Sequence, residues 1–244
     1  MLECIIGDII TVHLDTFKVI SLLWQWVYFQ VEIILPHLSS KESSLHSTAV
    51  PSGPHLSYEW KHLYVGTIQA SQYSVVYVSR NPKDALVSSF HYHNMASFVD
   101  DAGTFEEFIH KFLEGNVMFG SWFDHVKSWW QRKDQDNILF VTYEELLQDM
   151  RSALLKLGEF LGKQLSDDAI EIIVTQTKFN NMRQNKMSNY SFVPKELMDQ
   201  SKTNFLRKGI SGDWKNHFTT AQTEHFNSVY TQEMKGIDFP FYKD

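Results

Sequence analysis

The sequence predicts an α/β fold, with a parallel sheet flanked by helices. Two observations carry this reading. Short β-branched and aromatic runs alternate with longer segments of helical periodicity. In addition, the first clear strand run passes through an Asn-Pro pair directly into a helical segment. Strands alternating with helices favour a parallel sheet covered on both faces, and such sheets bind ligands at the carboxyl ends of their strands.

The elements follow in order. Lys18 to Pro36 is an apolar run of nearly membrane-spanning length. Gln25, Gln30 and Glu32 interrupt it, and Asp8 and Asp15 precede it, where a secretory leader carries positive charge. A buried helix or strand is expected there. Residues 37–57 are rich in Ser and Pro and read as a loop. Ser74–Ser79 reads as a buried strand, and Asn81-Pro82 starts a helix running to about Met95. Thr104 and Glu107 form a capping box ahead of Phe105, Phe108, Ile109, Phe112 and Leu113, which recur on one helix face. Trp122, Phe123, Val126, Trp129 and Trp130 make a second such stripe, and both stripes read as core. Asn137–Tyr143 is a second strand. Leu154–Leu161 and Ser166–Val174 are helices, the latter with Ser166 as N-cap. Thr219 and Gln222 cap a last helix carrying Phe226, Val229, Tyr230 and Met234.

Composition narrows the function classes. The 244 residues can bury a sizeable core, and 43% hydrophobic content argues against disorder. The net charge of −7 gives no nucleic-acid-like basic balance, so an anionic ligand needs a local basic cluster. Cys4 is the only cysteine, which excludes an intrachain disulfide and fits a reducing compartment.

Two basic clusters stand out. In the segment RNPKDALVS, Arg80 ends a strand and Ser88 lies two turns into the next helix. Free N–H groups at that helix N-terminus would favour an anion, and an Arg fork matches phosphate oxygens. In FLRKGISGDWK, Arg207 and Lys208 are adjacent, while Gly209 and Gly212 let backbone approach a phosphate closely. Alone, the first reads equally well as a surface Arg beside a capped helix, and the second reads better as a basic, Gly-containing surface loop. His91 and His93 stand at i, i+2 spacing on different helix faces, so they read as solvated or core histidines rather than a metal pair.

Together, VVYVSRNPKDALVSSFHYHNM and FLRKGISGDWKNHFT resemble the two 3′-phosphate-binding motifs of cytosolic sulfotransferases. FEEFIHKFLEGNVMFGSWFDHVKSWW, ILFVTYEELLQDM and NYSFVP are similar to the same family, in the same order. The resemblance covers residues 74–244 as one sulfotransferase domain, behind a divergent segment 1–73. It implies a sheet related to nucleotide kinases, a cytoplasmic enzyme, and sulfuryl transfer from 3′-phosphoadenosine 5′-phosphosulfate (PAPS) to a hydroxyl or amine. The acceptor would be a small apolar phenol, steroid or amine, with no metal, nucleic acid or membrane partner. By matching position, Arg80 and Ser88 would hold the 3′-phosphate, with Arg207, Lys208 and Gly209 closing on it. Tyr143, Thr177, Phe179 and Met182 would lie toward the adenine, an aromatic offering a flat face to the base. Phe205 and Leu206 would lead into the second phosphate loop. Lys215, Thr219, Thr220 and Glu224 resemble the family's dimerisation motif, with Thr220 where the family has valine.

The chain departs from the family in two places. The family neutralises the leaving phosphate with a lysine in a loop of the type Tyr-Pro-Lys-Ser-Gly-Thr-Thr-Trp, and residues 1–73 contain no such run. The first strand and its loop are therefore missing or replaced, which opens the alternative of a chain that binds the nucleotide without transferring. The family's base is a histidine in a His-Leu context upstream of the Arg80 strand. His55 and His62 both meet that description. His55 is the candidate, because it follows a Pro-Ser-Gly-Pro region and precedes Ser57-Tyr58. A histidine near its ordinary pKa accepts a proton at neutral pH.

Overall fold

The run Tyr73–Ser79 is β-branched and aromatic, the composition of a strand buried on both sides, and it forms the middle of a three-stranded sheet. The computed structural model describes residues 31–36 and 73–240. Strand β1 is Val31–Pro36, β2 is Tyr73–Ser79 and β3 is Ile138–Thr142. β2 and β3 are parallel, with Val75 opposite Ile138 and Ser79 opposite Thr142. β1 takes the last six residues of the apolar run, whose residues 18–30 lie outside the described residues, and it pairs antiparallel to β2. Val31 stands opposite Val78 and Pro36 opposite Tyr73, so the sheet is mixed rather than wholly parallel.

Side chains alternate across the sheet as a period of two requires. Val76, Val78 and Val141 face one core, and Val75, Tyr77, Ile138 and Phe140 face another. The helices, in chain order, are α1 Pro82–Met95, α2 Phe105–Glu114, α3 Trp122–Trp130, α4 Tyr143–Gln148 and α5 Met150–Phe160. They continue as α6 Asp167–Gln176, α7 Phe179–Gln184, α8 Lys186–Asn189 and α9 Thr220–Glu233. α4, α5 and α6 cover the first sheet face, and Trp129 of α3 covers the second. α1, α2, α3 and α9 share a third apolar cluster built on Leu86, Phe108, Phe123 and Phe226. The aromatic stripes of α2 and α3 are thus core.

The helix starts follow their caps. Asn81 accepts from Lys83 N and Asp84 N, and the boxes at Thr104/Glu107 and Thr219/Gln222 are both closed. Two boundaries differ from expectation. Tyr143 does not end β3 but opens α4, because Thr142 and Glu145 form a further capping box that turns the chain out of the sheet. α5 starts ahead of Leu154 because the Asp149 side chain accepts from Ser152 N. Among the described residues, no helix is long and apolar enough to cross a membrane.

Candidate nucleotide site

β2 and β3 deliver their carboxyl ends side by side, Ser79 opposite Thr142. The residues that follow each strand meet at once. Arg80 sets its guanidinium carbon 4.5 Å from the centre of the Tyr143 ring, a cation–π contact across adjacent strand ends. Asn81 N–H donates to Glu144 Oε1 at 3.1 Å. Arg80 and Tyr143 are both buried. Burial pushes the Tyr143 phenol up to about 12, against the lowering pull of Arg80 and Arg207. Both guanidinium charges are therefore felt at this one ring.

The second basic cluster closes on the first. Arg80 Nη2 reaches the Ile210 carbonyl at 3.4 Å, the long end of hydrogen-bond range. The loop is held by the first turn of α1. The buried Asp84 carboxylate accepts from Gly212 N–H at 2.6 Å and Trp214 N–H at 2.9 Å. Lys83, fully buried, places Nζ 3.6 Å from the Trp214 ring centre and donates to Asn227 Oδ1 at 3.2 Å. Ser88 follows Asp84 by four residues and precedes His91 by three, so all three share the α1 face turned to this loop. His91 feels the loop's charges. Its pKa is lowered to about 4, by burial first and then by Arg207 and His217.

Within the loop, Asp213 gathers the cations. It is 1% exposed and pairs with Arg207 Nη1 at 2.7 Å, Lys208 Nζ at 2.7 Å and His217 Nε2 at 3.2 Å, while Asn216 Nδ2 donates at 2.9 Å. Burial works to raise its pKa, but the bonds from Lys208, Asn216 and Arg207 outweigh it and hold the group well below the usual carboxylate range.

The helix N-terminus does not offer the free amides expected of it. Pro82 has no N–H, the Lys83 and Asp84 amides are taken by Asn81 Oδ1, and Ala85 N bonds Asn81 O. The amides at the start of α1 are therefore already bonded within the chain.

The remaining predicted residues divide. Phe179 packs directly on Gly209, at the joint between the two parts of the site. Met182, Phe205 and Leu206 are buried in the sheet-face core with Ile173 and Val78. Thr177 caps α6, and its hydroxyl donates to Ile173 O at 2.7 Å. Lys215, Thr219, Thr220 and Glu224 lie at the surface around the start of α9. His55, His62 and the Ser/Pro-rich loop lie outside the described residues. His93 is a satisfied core histidine between Asp100 O and Met118 N. No group of metal-ligating side chains occurs among the described residues.

Lys83, Asp84 and Asp213 are the site residues that sequence reasoning passed over. A signal existed: two adjacent cations beside buried aromatics require a counter-charge, and Asp213 is the carboxylate nearest to them in the chain.

The chain as a whole is similar to known proteins. The family model for the sulfotransferase domain matches residues 11–238, reaching well into the segment ahead of residue 74. Sulfotransferase 2B1 of Mus musculus is 48% identical over 180 residues, 73% of this chain and 53% of the mouse protein. Sulfotransferase 2B1 of Rattus norvegicus is 42% identical over 205 residues, 82% of this chain and 60% of the rat protein. The chain thus spans a little over half the length of these curated relatives. A mouse sulfotransferase solved in complex with PAP superposes with a TM-score of 0.59 at 36% identity, over 67% of this chain and 59% of that one. Retinol dehydratase, solved with androsterone and the inactive cofactor PAP, gives a TM-score of 0.62 at 29% identity, over 67% of this chain and 48% of that one. With the family model spanning nearly all of its residues, the chain belongs to the sulfotransferase family.

Proposed function

We propose that this chain grips a 3′-phosphoadenosine nucleotide and, with PAPS as donor, transfers a sulfuryl group to a hydroxyl or amine of a small apolar acceptor. The observation that carries this is the meeting of Arg80 with the 207–214 loop over Tyr143, joined by the Arg80–Ile210 contact. The two solved relatives carrying PAP support the choice of nucleotide. PAPS supplies the sulfuryl group. The chain's residues bind and orient. Arg80 and Ser88 hold the 3′-phosphate from the strand and helix side, and Arg207, Lys208 and the Gly209 backbone hold it from the loop side. Phe179, with Thr177 and Met182 behind it, borders the base, while Phe205 and Leu206 fix the loop's approach. His55 is the residue proposed to take the acceptor's proton. The sheet-end location and the apolar surface of Phe98, Phe192 and Leu197, each about half exposed or more, suit a small hydrophobic acceptor. The retinol dehydratase complex with androsterone supports that class. Assembly as a homodimer through Lys215, Thr219, Thr220 and Glu224 belongs to the same reading, as does a cytoplasmic location. Light scattering that gives only monomer at micromolar concentration removes the dimer.

A second reading, nucleotide binding without transfer, is favoured by two observations. No donor-loop lysine run occurs in residues 1–73. β1 also runs antiparallel, so the chain leaving Pro36 departs beside Tyr73, the end of β2 opposite Arg80. One experiment separates the readings: the purified chain is incubated with radiolabelled PAPS and a panel of phenols, steroids and amines, alongside calorimetry with adenosine 3′,5′-bisphosphate. Labelled product supports transfer. Binding without product supports the second reading, and absence of binding removes both.

A further inference from the structure

Asp213 sits where a negative charge is unwelcome to an anionic ligand, between the two loop cations assigned to grip phosphate. Resting on the nucleotide reading above, we infer that Asp213 is the positioning residue that gives the site its preference for a 3′-phosphate. The carboxylate is 1% exposed and pairs with Arg207 through Oδ2 and Lys208 through Oδ1, each at 2.7 Å. A buried carboxylate so placed fixes two flexible side chains with one group. Arg207 is anchored by Nη1 alone, and among the described residues its other donors meet no acceptor. The planar fork therefore has one edge held and the other available. Lys208, 44% exposed, spends one of its three donors on Asp213.

Charge balance points the same way. Asp213 leaves the Arg207–Lys208 pair with a single net positive charge, and Arg80 brings a second. A phosphate monoester near neutral pH carries roughly −1.5 to −2, so the assembled set matches it. His217 Nε2 and Asn216 Nδ2 fill the remaining lone pairs of Asp213, so the carboxylate does not swing toward the ligand. The alternative, a counter-ion that lets go of Arg207 when phosphate arrives, predicts the opposite behaviour.

The test compares wild type with Asp213→Asn by calorimetry, using adenosine 3′,5′-bisphosphate and adenosine 5′-monophosphate. A positioning role lowers the affinity ratio between these ligands about ten-fold or more, with affinity for the monophosphate changing less than about two-fold. An unchanged ratio, or an equal loss for both ligands, overturns the inference. A wild type that binds nucleotide without any preference for the 3′-phosphate overturns it along with the reading beneath it. A second measurement needs no variant. In the wild-type NMR spectrum, the Arg207 guanidinium protons should stay individually resolved, as in a held ion pair, both without and with adenosine 3′,5′-bisphosphate. Their collapse to freely rotating signals on binding overturns the inference even if Asp213→Asn does not fold.

Discussion

Gly209 rests against the face of Phe179 so closely that a Cβ added to it would lie 2.1 Å from Phe179 Cδ2, and its φ of +67° is itself left-handed. A segment proposed to border the base and a loop proposed to hold the phosphate are thus fastened at one point. Gly209→Ala must displace that ring or the loop, besides straining the backbone by about 1–3 kcal/mol. Affinity for adenosine 3′,5′-bisphosphate should fall about ten-fold or more by calorimetry, with the far-ultraviolet circular dichroism unchanged. Wild-type affinity in this variant would refute the coupling.

Arg80→Ala removes the guanidinium from the Tyr143 ring and the donor to Ile210 O. Charge-assisted contacts of this kind contribute of order 1.5–3 kcal/mol. Nucleotide binding should weaken about ten-fold or more, and titration calorimetry showing equal affinity would count against the assignment.

Asp84→Asn tests the tether between α1 and the loop. An amide oxygen replaces only one of the two acceptors that meet Gly212 and Trp214, and its NH2 group faces an N–H. Stability should drop by about 1.5–3 kcal/mol in urea unfolding. The emission of Trp214, buried at 8% exposure, should shift red as the loop loosens. A variant with wild-type stability and fluorescence would show that the tether matters little.

Acid should destabilise the protein. His93 must carry its proton on Nδ1 to meet Asp100 O, leaving Nε2 to accept from Met118 N–H, so the neutral ring is the one that fits. Burial holds its pKa below the ordinary 6.5, and burial with Arg207 brings His91 to about 4. Between about pH 6.5 and about pH 4 the unfolded chain therefore binds more protons than the folded one, and stability rises with pH across that window. The urea midpoint should fall as pH is lowered through it, and His91→Phe should flatten the slope. Equal slopes in the two proteins would exclude His91 as a source.

Much of this architecture could be read from residue types alone, because the signals were local. Asn81-Pro82, Thr104/Glu107, Ser166 and Thr219/Gln222 each mark a helix start through bonds made within one turn. The sheet was less legible. Strand runs at 74–79 and 137–143 announce themselves by composition, but the antiparallel sense of β1 depends on where the chain returns, which no local pattern encodes. The site split the same way. Arg80 and Arg207 carry a charge visible in the sequence, whereas Asp84 bonds the backbone of a distant loop, and a carboxylate beside Lys83 reads as an ordinary surface pair. The free amides expected at the start of α1 were not there, because the Asn81 side chain that identifies the helix start also consumes them.

The bond from Gly212 to Asp84 joins residues 128 positions apart. During synthesis the amino-terminal part of a chain emerges first, and contacts of long sequence separation form late. A ribosome-bound chain halted before Gly212 can fold its strands and first helices yet has no partner for Asp84. Lys83 would then lie under open solvent rather than under Trp214. The nucleotide recognition proposed here is therefore expected among the last properties to appear as the chain is made, and a nascent chain stalled before Gly212 should not be retained by immobilised nucleotide.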